Sequence, residues 1–382
     1  MKVIHIVRDN FTPDSLNGVY KVIDSLAEAL ERSKMLGGGK ICVCSVSPVV
    51  HESIYQSCSY EHVQFREHSL RFFLDKDFRS FLLSQPRTAV FHFHSVFIPW
   101  FLPAVRLLRR NGFRRIVLTP HGQYVDAAMR RSLKKRVFFR FFDRNVLRTV
   151  DVVHVIGHTE INRYIEDNAR AYRLIPNGCQ PQRKGKVCSQ SLAFGYLGRL
   201  NIAQKGLDTL IKAFAFYRRQ GGTAVMTVAG GGSDGGRLKE MCNVLGVSGQ
   251  VRFAGKVFGG DKGRFLEGCS FFIHPSNWDG IPTACMEAAA CGVPLIVSRA
   301  TNLDIYVEKY RCGFVMPDDG RPVQALAEQF VKAERLFADK NSYGQMCATA
   351  LKMVDEELNW DIIAMKVVKE LYNAEDNSIH TM

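Results

Sequence analysis

The chain has no apolar run approaching the roughly 20 residues that a membrane-spanning helix requires. A secretory signal is not expected either. Met1–Asp9 has Lys2 and Arg8 flanking a short apolar core, which reads as a first β-strand. Cys-x-x-Cys spacing is absent, and the 11 cysteines are odd in number, so no disulfide framework is expected. Cys42, Cys44, Cys269, Cys285 and Cys291 lie in apolar runs, as buried thiols of a reducing compartment would. No Gly-x-Ser-x-Gly elbow and no Walker loop occurs. Helix-turn-helix, zinc-finger and RNA-binding signatures are missing too, so nucleic acid is not an expected partner.

Acidic residues are scarce in one half only. Residues 1–186 hold 30 Lys and Arg against 16 Asp and Glu, whereas residues 187–382 hold 21 of each. The formal charge of +14 therefore belongs to the first half. It concentrates at Arg106–Arg115 and again at Arg130–Arg148, where Asp143 is the only acid. The second stretch also holds Val137, Phe138, Phe139, Phe141 and Phe142, with Arg136, Arg140 and Arg144 at helical spacing. Basic helices with aromatics suit an anionic membrane surface. A solvated face over a buried aromatic stripe is the alternative.

With 46% hydrophobic and 23% charged residues, 382 residues suit two or three globular domains. Short β-branched runs alternate with helical stretches. Strands are expected at residues 3–7, 41–46, 89–93, 115–118, 152–155 and 172–175, with helices at 19–32, 99–110 and 127–147. After a basic stretch at 180–190 the alternation restarts, with strands at 192–196, 224–228, 251–254, 270–273 and 295–297. This pattern predicts an α/β fold of two doubly wound, Rossmann-like domains with parallel sheets. Ligands of such sheets bind at the carboxyl ends of strands, so a cleft between the domains is the expected site. A last amphipathic helix follows Asn359.

Three segments of the second half carry chemistry. Phe194–Leu200 reads as a strand with a glycine turn and Arg199, and Lys205 follows at the start of a helix. Two cations at a helix start suit a diphosphate. Gly230-Gly231-Gly232-Ser233-Asp234-Gly235 satisfies Gly-x-Gly-x-x-Gly after a strand. The acid that a dinucleotide ribose would need some 20 residues on is absent, because Val251–Lys256 offers only bases. The run is either a nucleotide-side turn or a structural loop. Pro275–Ala288 places Asp279, Gly280 and Pro282 before a helix that contains Glu287 among small residues. A Glu there is costly without a partner, which is either an undetected cation or a ligand hydroxyl. His92 and His94 lie on one strand face with no Cys or acid to complete a metal set, so a cleft-edge or core role is expected.

These three segments, in this order, resemble the C-terminal half of retaining glycosyltransferases of family 4, which have the two-Rossmann GT-B fold. The family pattern has two acids eight positions apart, usually both Glu; here they are Asp279 and Glu287. The resemblance implies that Asp279 contacts donor-sugar hydroxyls and that Glu287 holds the nucleotide ribose. Arg199 and Lys205 would hold the diphosphate, and Gly280, Ile281 and Pro282 would approach sugar and phosphate. In the first half, Thr119-Pro120-His121-Gly122 is similar to the family's sugar-site His, and Gly18 follows Asn17 where a Gly pair is usual. Ile175–Gly178 matches the family's domain junction, and Asn359-Trp360 its terminal helix.

By this resemblance residues 1–182 form an acceptor-binding domain and 190–356 a nucleotide-sugar domain, while 357–382 cross back to the first. The implied activity is retaining, metal-independent transfer from a UDP- or GDP-sugar to a hydroxyl, with no permanently bound cofactor. The basic first half points to a lipid-linked saccharide acceptor on the inner face of a plasma membrane, in bacterial surface polysaccharide synthesis. The protein would then be cytoplasmic and peripheral. An epimerase of the same fold would need no acceptor. A hydride-transferring Rossmann enzyme is disfavoured by the missing acid. A non-catalytic scaffold would not need Arg199, Lys205, Asp279 and Glu287.

Overall fold

Apolar, β-branched segments form the two parallel sheets of a computed structural model that describes residues 1–11, 18–50, 59–181 and 191–373. In the first sheet the strands are β1 (Val3–Arg8), β2 (Ile41–Ser47), β3 (Glu61–Arg66), β4 (Val90–His94), β5 (Ile116–Thr119), β6 (Val152–Val155) and β7 (Tyr172–Leu174), in the order β3-β2-β1-β4-β5-β6-β7. The second comprises β8 (Ala193–Leu197), β9 (Val225–Ala229), β10 (Val251–Gly255), β11 (Phe271–His274), β12 (Leu295–Val297) and β13 (Gly313–Val315), in the order β10-β9-β8-β11-β12-β13. In each sheet the strand order reverses beside the first strand, which places a crevice at the carboxyl ends of β1 and β4, and of β8 and β11. Both central strand pairs are buried on both faces; β8 and β11 read as near-continuous apolar runs, whereas β1 and β4 carry His5, His92 and His94 on one buried face.

The chain divides into two compact units, Met1–Gly178 with Trp360–Met382, and Cys179–Asn359. The terminal helix Trp360–Val367 buries Trp360, Ile363, Ala364 and Val367 in the same cluster as Val3, Ile23, Leu26 and Leu30 of the first unit. The nine cysteines among the described residues are all buried, as their apolar contexts predict.

The expected continuous helix over 127–147 is a correction. The stretch breaks into Asp126–Arg130, Leu133–Phe138, a π-helical turn at Phe139–Asp143, and Arg144–Thr149. Ser132 interrupts it by accepting the Lys135 N–H as an N-cap at 3.3 Å. The π turn points Asp143 inward, where its Oδ2 accepts the Phe97 N–H at 3.1 Å. Burial, opposed by that hydrogen bond, pushes the Asp143 carboxyl up to about 7. The one acid in the basic stretch is therefore turned into the core, away from the exposed bases.

Candidate active site

In the second unit, β8 runs through Gly198 and Arg199 to a short helix, Ile202–Lys205, capped by Asn201, whose side chain accepts the Gln204 N–H at 2.8 Å. Gly206 then takes a left-handed φ of 63° and starts the helix Leu207–Arg219. A side chain at Gly206 would place its Cβ 2.1 Å from the Pro275 carbonyl oxygen. Glycine is thus required twice over, by its φ and by the close backbone approach. That approach brings Lys205 beside the loop after β11. Asn277 locks the contact, its N–H donating to Gln204 O at 2.9 Å and its Nδ2 to Ala203 O at 3.0 Å.

Lys205 Nζ donates to Asp279 Oδ2. The same oxygen accepts from His274 Nε2 and from the Ser276 hydroxyl, each at 3.2 Å. The Lys205 and Asp279 side chains keep only 12% and 14% exposure. Burial pushes the Asp279 carboxyl up, but the His274 hydrogen bond and the Lys205 charge outweigh it and hold it well below the usual carboxylate range. Burial lowers His274 below its usual value despite its acidic neighbour. At neutral pH Lys205 therefore faces a carboxylate backed by a neutral imidazole, whose ring stacks on Tyr196 at 5.4 Å.

Glu287 lies on the helix Thr283–Ala290, which begins just after Gly280, Ile281 and Pro282. Its Oε1 accepts from Lys262 Nζ at 2.5 Å, and its buried Oε2 has no hydrogen-bond partner among the described residues. Lys262 is the undetected cation that a structural explanation of Glu287 requires. It sits on Gly259–Glu267, a helix remote from the motif in sequence. Pro282 has no N–H, so only Gly280, Ile281 and the first helical residues can offer amide donors there. Arg199 is exposed, and its carbonyl accepts the Tyr196 hydroxyl at 3.1 Å.

The Gly230–Gly235 run has a structural reason. A Cβ at Gly230, whose φ is 136°, would lie 1.8 Å from the Gly198 carbonyl oxygen, so the two loops meet backbone to backbone. Asp234 Oδ2 completes the support by accepting the Ile202 N–H at 2.7 Å. The run thus braces the loop that bears Arg199 and Lys205.

In the first unit, Gly18 opens the exposed end of the helix Gly18–Ser33. Leu16 and Asn17 lie outside the described residues. His121 follows β5 with a left-handed φ of 56°, and Asp9, Ser95 and Phe97 are also left-handed at the ends of β1 and β4. Strained non-glycine residues gather at functional sites. A cavity of about 180 Å³ opens here, lined by Arg8, Asp9, Tyr20, His94, Ser95 and Gln123, among others. Beneath it lie two hydrogen-bonded chains. In one, His5 Nδ1 meets His94 Nε2 at 2.9 Å and His94 Nδ1 meets His121 Nε2 at 3.0 Å. In the other, Tyr372, His92, Thr119, His154 and the Ile175 carbonyl follow one another at 2.8, 2.6, 2.9 and 2.8 Å.

His5, His92 and His94 cluster closely enough to hold a metal ion. Both ring nitrogens of His92 and of His94 are already engaged, however, and His5 keeps only its Nε2 open among the described residues. Ligation would break those bonds. The cleft-edge or core role expected for His92 and His94 fits this packing, but the sequence does not bring in His5 and His154, nor does it join His121 to His94.

Two family models match the chain: glycosyl transferases group 1 at residues 182–346, and the glycosyl transferase 4-like domain at residues 18–178. The chain belongs to the group 1 glycosyl transferases. Over 303 residues this glycosyltransferase is 24% identical to a GDP-mannose-dependent α-(1-6)-phosphatidylinositol monomannoside mannosyltransferase of Mycobacterium tuberculosis, covering 72% of this chain and 75% of the relative. A lipopolysaccharide core biosynthesis glycosyltransferase, LpsE of Rhizobium meliloti, is 31% identical over 38% of this chain and 39% of its own. Among solved structures, sucrose-phosphate synthase from Thermosynechococcus elongatus superposes with a TM-score of 0.74 at 18% identity, covering 96% of this chain and 97% of that one. Anabaena HepE in complex with UDP and glucose gives 0.70 at 15% identity, covering 97% and 99%. The glycosyltransferase has the α/β GT-B fold and uses nucleotide sugars. Among its described residues no helix is long and apolar enough to cross a membrane.

Proposed function

We propose that this glycosyltransferase moves a sugar from a UDP- or GDP-sugar to the hydroxyl of a lipid-linked saccharide, retaining the anomeric configuration, in bacterial surface polysaccharide assembly. The observation that carries the reading is the buried Lys205–Asp279 pair at the carboxyl end of β11, beside a Glu287 with one open oxygen. An ammonium has three donors, so Lys205 can keep Asp279 and still reach phosphate oxygens. Asp279, held ionised, accepts from sugar hydroxyls. It is one methylene shorter than the usual Glu, which shifts the hydroxyls it reaches. Glu287 Oε2 accepts from the ribose while Lys262 steadies Oε1. Arg199 and the amides of Gly280 and Ile281 meet the diphosphate, and His121 and Gly18 keep the donor roles that the family resemblance gives them.

As the bond from the anomeric carbon to the phosphate oxygen breaks, charge grows on the leaving diphosphate, and Lys205 and Arg199 oppose it without requiring a metal ion. Preorganised charge of this kind contributes about 3–4 kcal/mol per key donor. The acceptor oxygen bonds to the anomeric carbon from the same face and passes its proton to the departing phosphate. Thermal unfolding with UDP, GDP and their sugars tests the donor site. A ligand at ~100 times its dissociation constant adds about 2.7 kcal/mol, a clearly raised melting temperature. No response from any of them on folded protein would sink the reading.

The acceptor's lipid fits a surface of the first unit. Leu133, Val137 and Phe141 recur every four residues and stay exposed, Leu133 at 67% and Phe141 at 61%. Exposed Lys134, Arg136 and Arg140 flank them. Leu70, Phe72 and Phe73 are exposed as well, and the Phe72 ring packs on Phe142 at 5.0 Å. Arg144 is not free for this surface, because its Nε donates to Asn168 at 3.0 Å. Apolar tips ringed by bases suit the face of an anionic leaflet. Reversing Arg136 and Arg140 to Glu should weaken binding to anionic vesicles at least ~30-fold, at about 1 kcal/mol per base removed. Equal sedimentation of variant and wild type with the vesicles would remove this stretch from the membrane.

A further inference from the structure

The two imidazole chains of the first unit have proton positions that follow by elimination. A carbonyl only accepts, so His154 Nε2 must donate to Ile175 O. His154 is neutral, because burial drives its pKa down to about 4, and its Nδ1 is therefore bare. Thr119 donates to that nitrogen and accepts from His92 Nε2, and Tyr372 donates to His92 Nδ1. This chain has one direction, fixed by a backbone carbonyl.

The second chain has no carbonyl at its end. If it ran inward from His121, His5 would carry its proton on Nε2. That atom is buried and has no hydrogen-bond partner among the described residues. Orphaned buried N–H groups are rare in folded proteins. If it runs outward, His5 Nδ1 donates to His94 Nε2, His94 Nδ1 donates to His121 Nε2, and the inner nitrogen is merely bare. The same economy appears in the second unit, where His274 gives its one proton to Asp279 and leaves a buried Nδ1 bare, with no partner among the described residues. Burial drives His5 down to about 3 and His94 well below its usual value, so neither adds a second proton. His121 is the only partly exposed residue of the three.

We infer that His5 and His94 are positioning residues that hold His121 in the Nδ1–H tautomer, so that His121 meets its ligand as a hydrogen-bond donor. The near-parallel ring planes of the successive pairs, tilted 32° and 28°, keep the nitrogens in line. A hydrogen-bond donor at this position selects an oxygen that accepts, such as a sugar hydroxyl or ring oxygen, and disfavours a group that only donates. The catalytic part of this inference rests on the assignment of His121 to the donor sugar.

Nitrogen-15 NMR of histidine-labelled protein reads the tautomer directly, with His121 assigned from the signal missing in His121→Gln. In the wild type, His121 should show a protonated Nδ1 and a bare Nε2, the reverse of the form favoured by free imidazole. In His94→Leu, His121 loses its donor and should revert to Nε2–H. In His94→Asn, whose amide can donate in place of Nδ1–H, the Nδ1–H form should return. Turnover should fall about tenfold in His94→Leu, the worth of one hydrogen bond, with an unchanged donor KM and recovery in His94→Asn. A wild-type His121 protonated at Nε2 overturns the inference without a variant, and does not touch the assignment of Lys205 and Asp279. An unchanged His121 tautomer in folded His94→Leu overturns it too. Wild-type turnover in His94→Leu despite a reversed tautomer removes His121 from the sugar and overturns the positioning role.

Discussion

Lys205→Ala should reduce turnover by about two to three orders of magnitude, the usual loss when one preorganised charge donor is removed. It should also destabilise the second unit. Asp279 would remain buried with only the neutral His274 and Ser276 as partners. Removing one member of a buried pair costs about 3–5 kcal/mol, and the remaining hydrogen bonds place this case near the low end. Steady-state kinetics and urea unfolding on the same preparations separate the two effects. Lys205→Ala combined with Asp279→Ala should be more stable than the single Lys205 variant, because no uncompensated charge remains, yet no more active. Wild-type turnover in a folded Lys205→Ala protein would end the diphosphate role.

The first unit should lose stability sharply between pH 7 and pH 5. His5, His92, His94 and His154 are buried, and burial holds each pKa below 6.5. Above pH 6.5 they are neutral in both states and cost nothing. Below it the unfolded chain binds protons that the folded one refuses, so stability falls as the pH drops towards the folded values. At pH 5 each contributes a loss of about 2 kcal/mol. Asp143 and Glu160 pull the other way. Burial raises both carboxyls to about 7. Their penalty is greatest above pH 7 and is relieved as they protonate, a gain of about 2–3 kcal/mol each at pH 5. Four imidazoles outweigh two carboxyls, which leaves a net loss of a few kcal/mol. The urea midpoint of the first transition should therefore move down over this range. A constant midpoint would mean that the imidazoles are hydrated and protonated in the folded state.

Much of the architecture can be read from runs such as Val3–Val7 and Ile41–Val46, because central strands of a parallel sheet are apolar on both faces. β3 (Glu61–Arg66) and β13 (Gly313–Val315) escape that reading. Both are edge strands and only partly buried; β3 mixes Glu61, Gln64 and Arg66 into its run, and β13 is only three residues long. The broken stretch 126–149 escapes as well, since a π turn adds a residue that no 3.6-residue pattern anticipates. In the site, Lys205, Asp279 and Glu287 stand in short local motifs and are visible in sequence. Lys262, His5 and His154 are not, because each reaches its partner through a fold-level contact. His274 was within reach: it ends β11 one residue before the Pro275 motif, and its proton helps to keep Asp279 ionised.

The return of Trp360–Tyr372 to the first unit bears on how the molecule assembles. Tyr372 supplies the hydroxyl that satisfies His92, and Trp360, Ile363, Val367 and Leu371 fill the same apolar cluster as β1. Residues made almost 200 positions after the rest of the first unit thus close its core. The second unit, whose chain is continuous, can complete itself while the first still has an open apolar seam. During synthesis from the N-terminus, the earlier half of the protein is the later one to finish, and until then a row of buried histidines stays open to solvent.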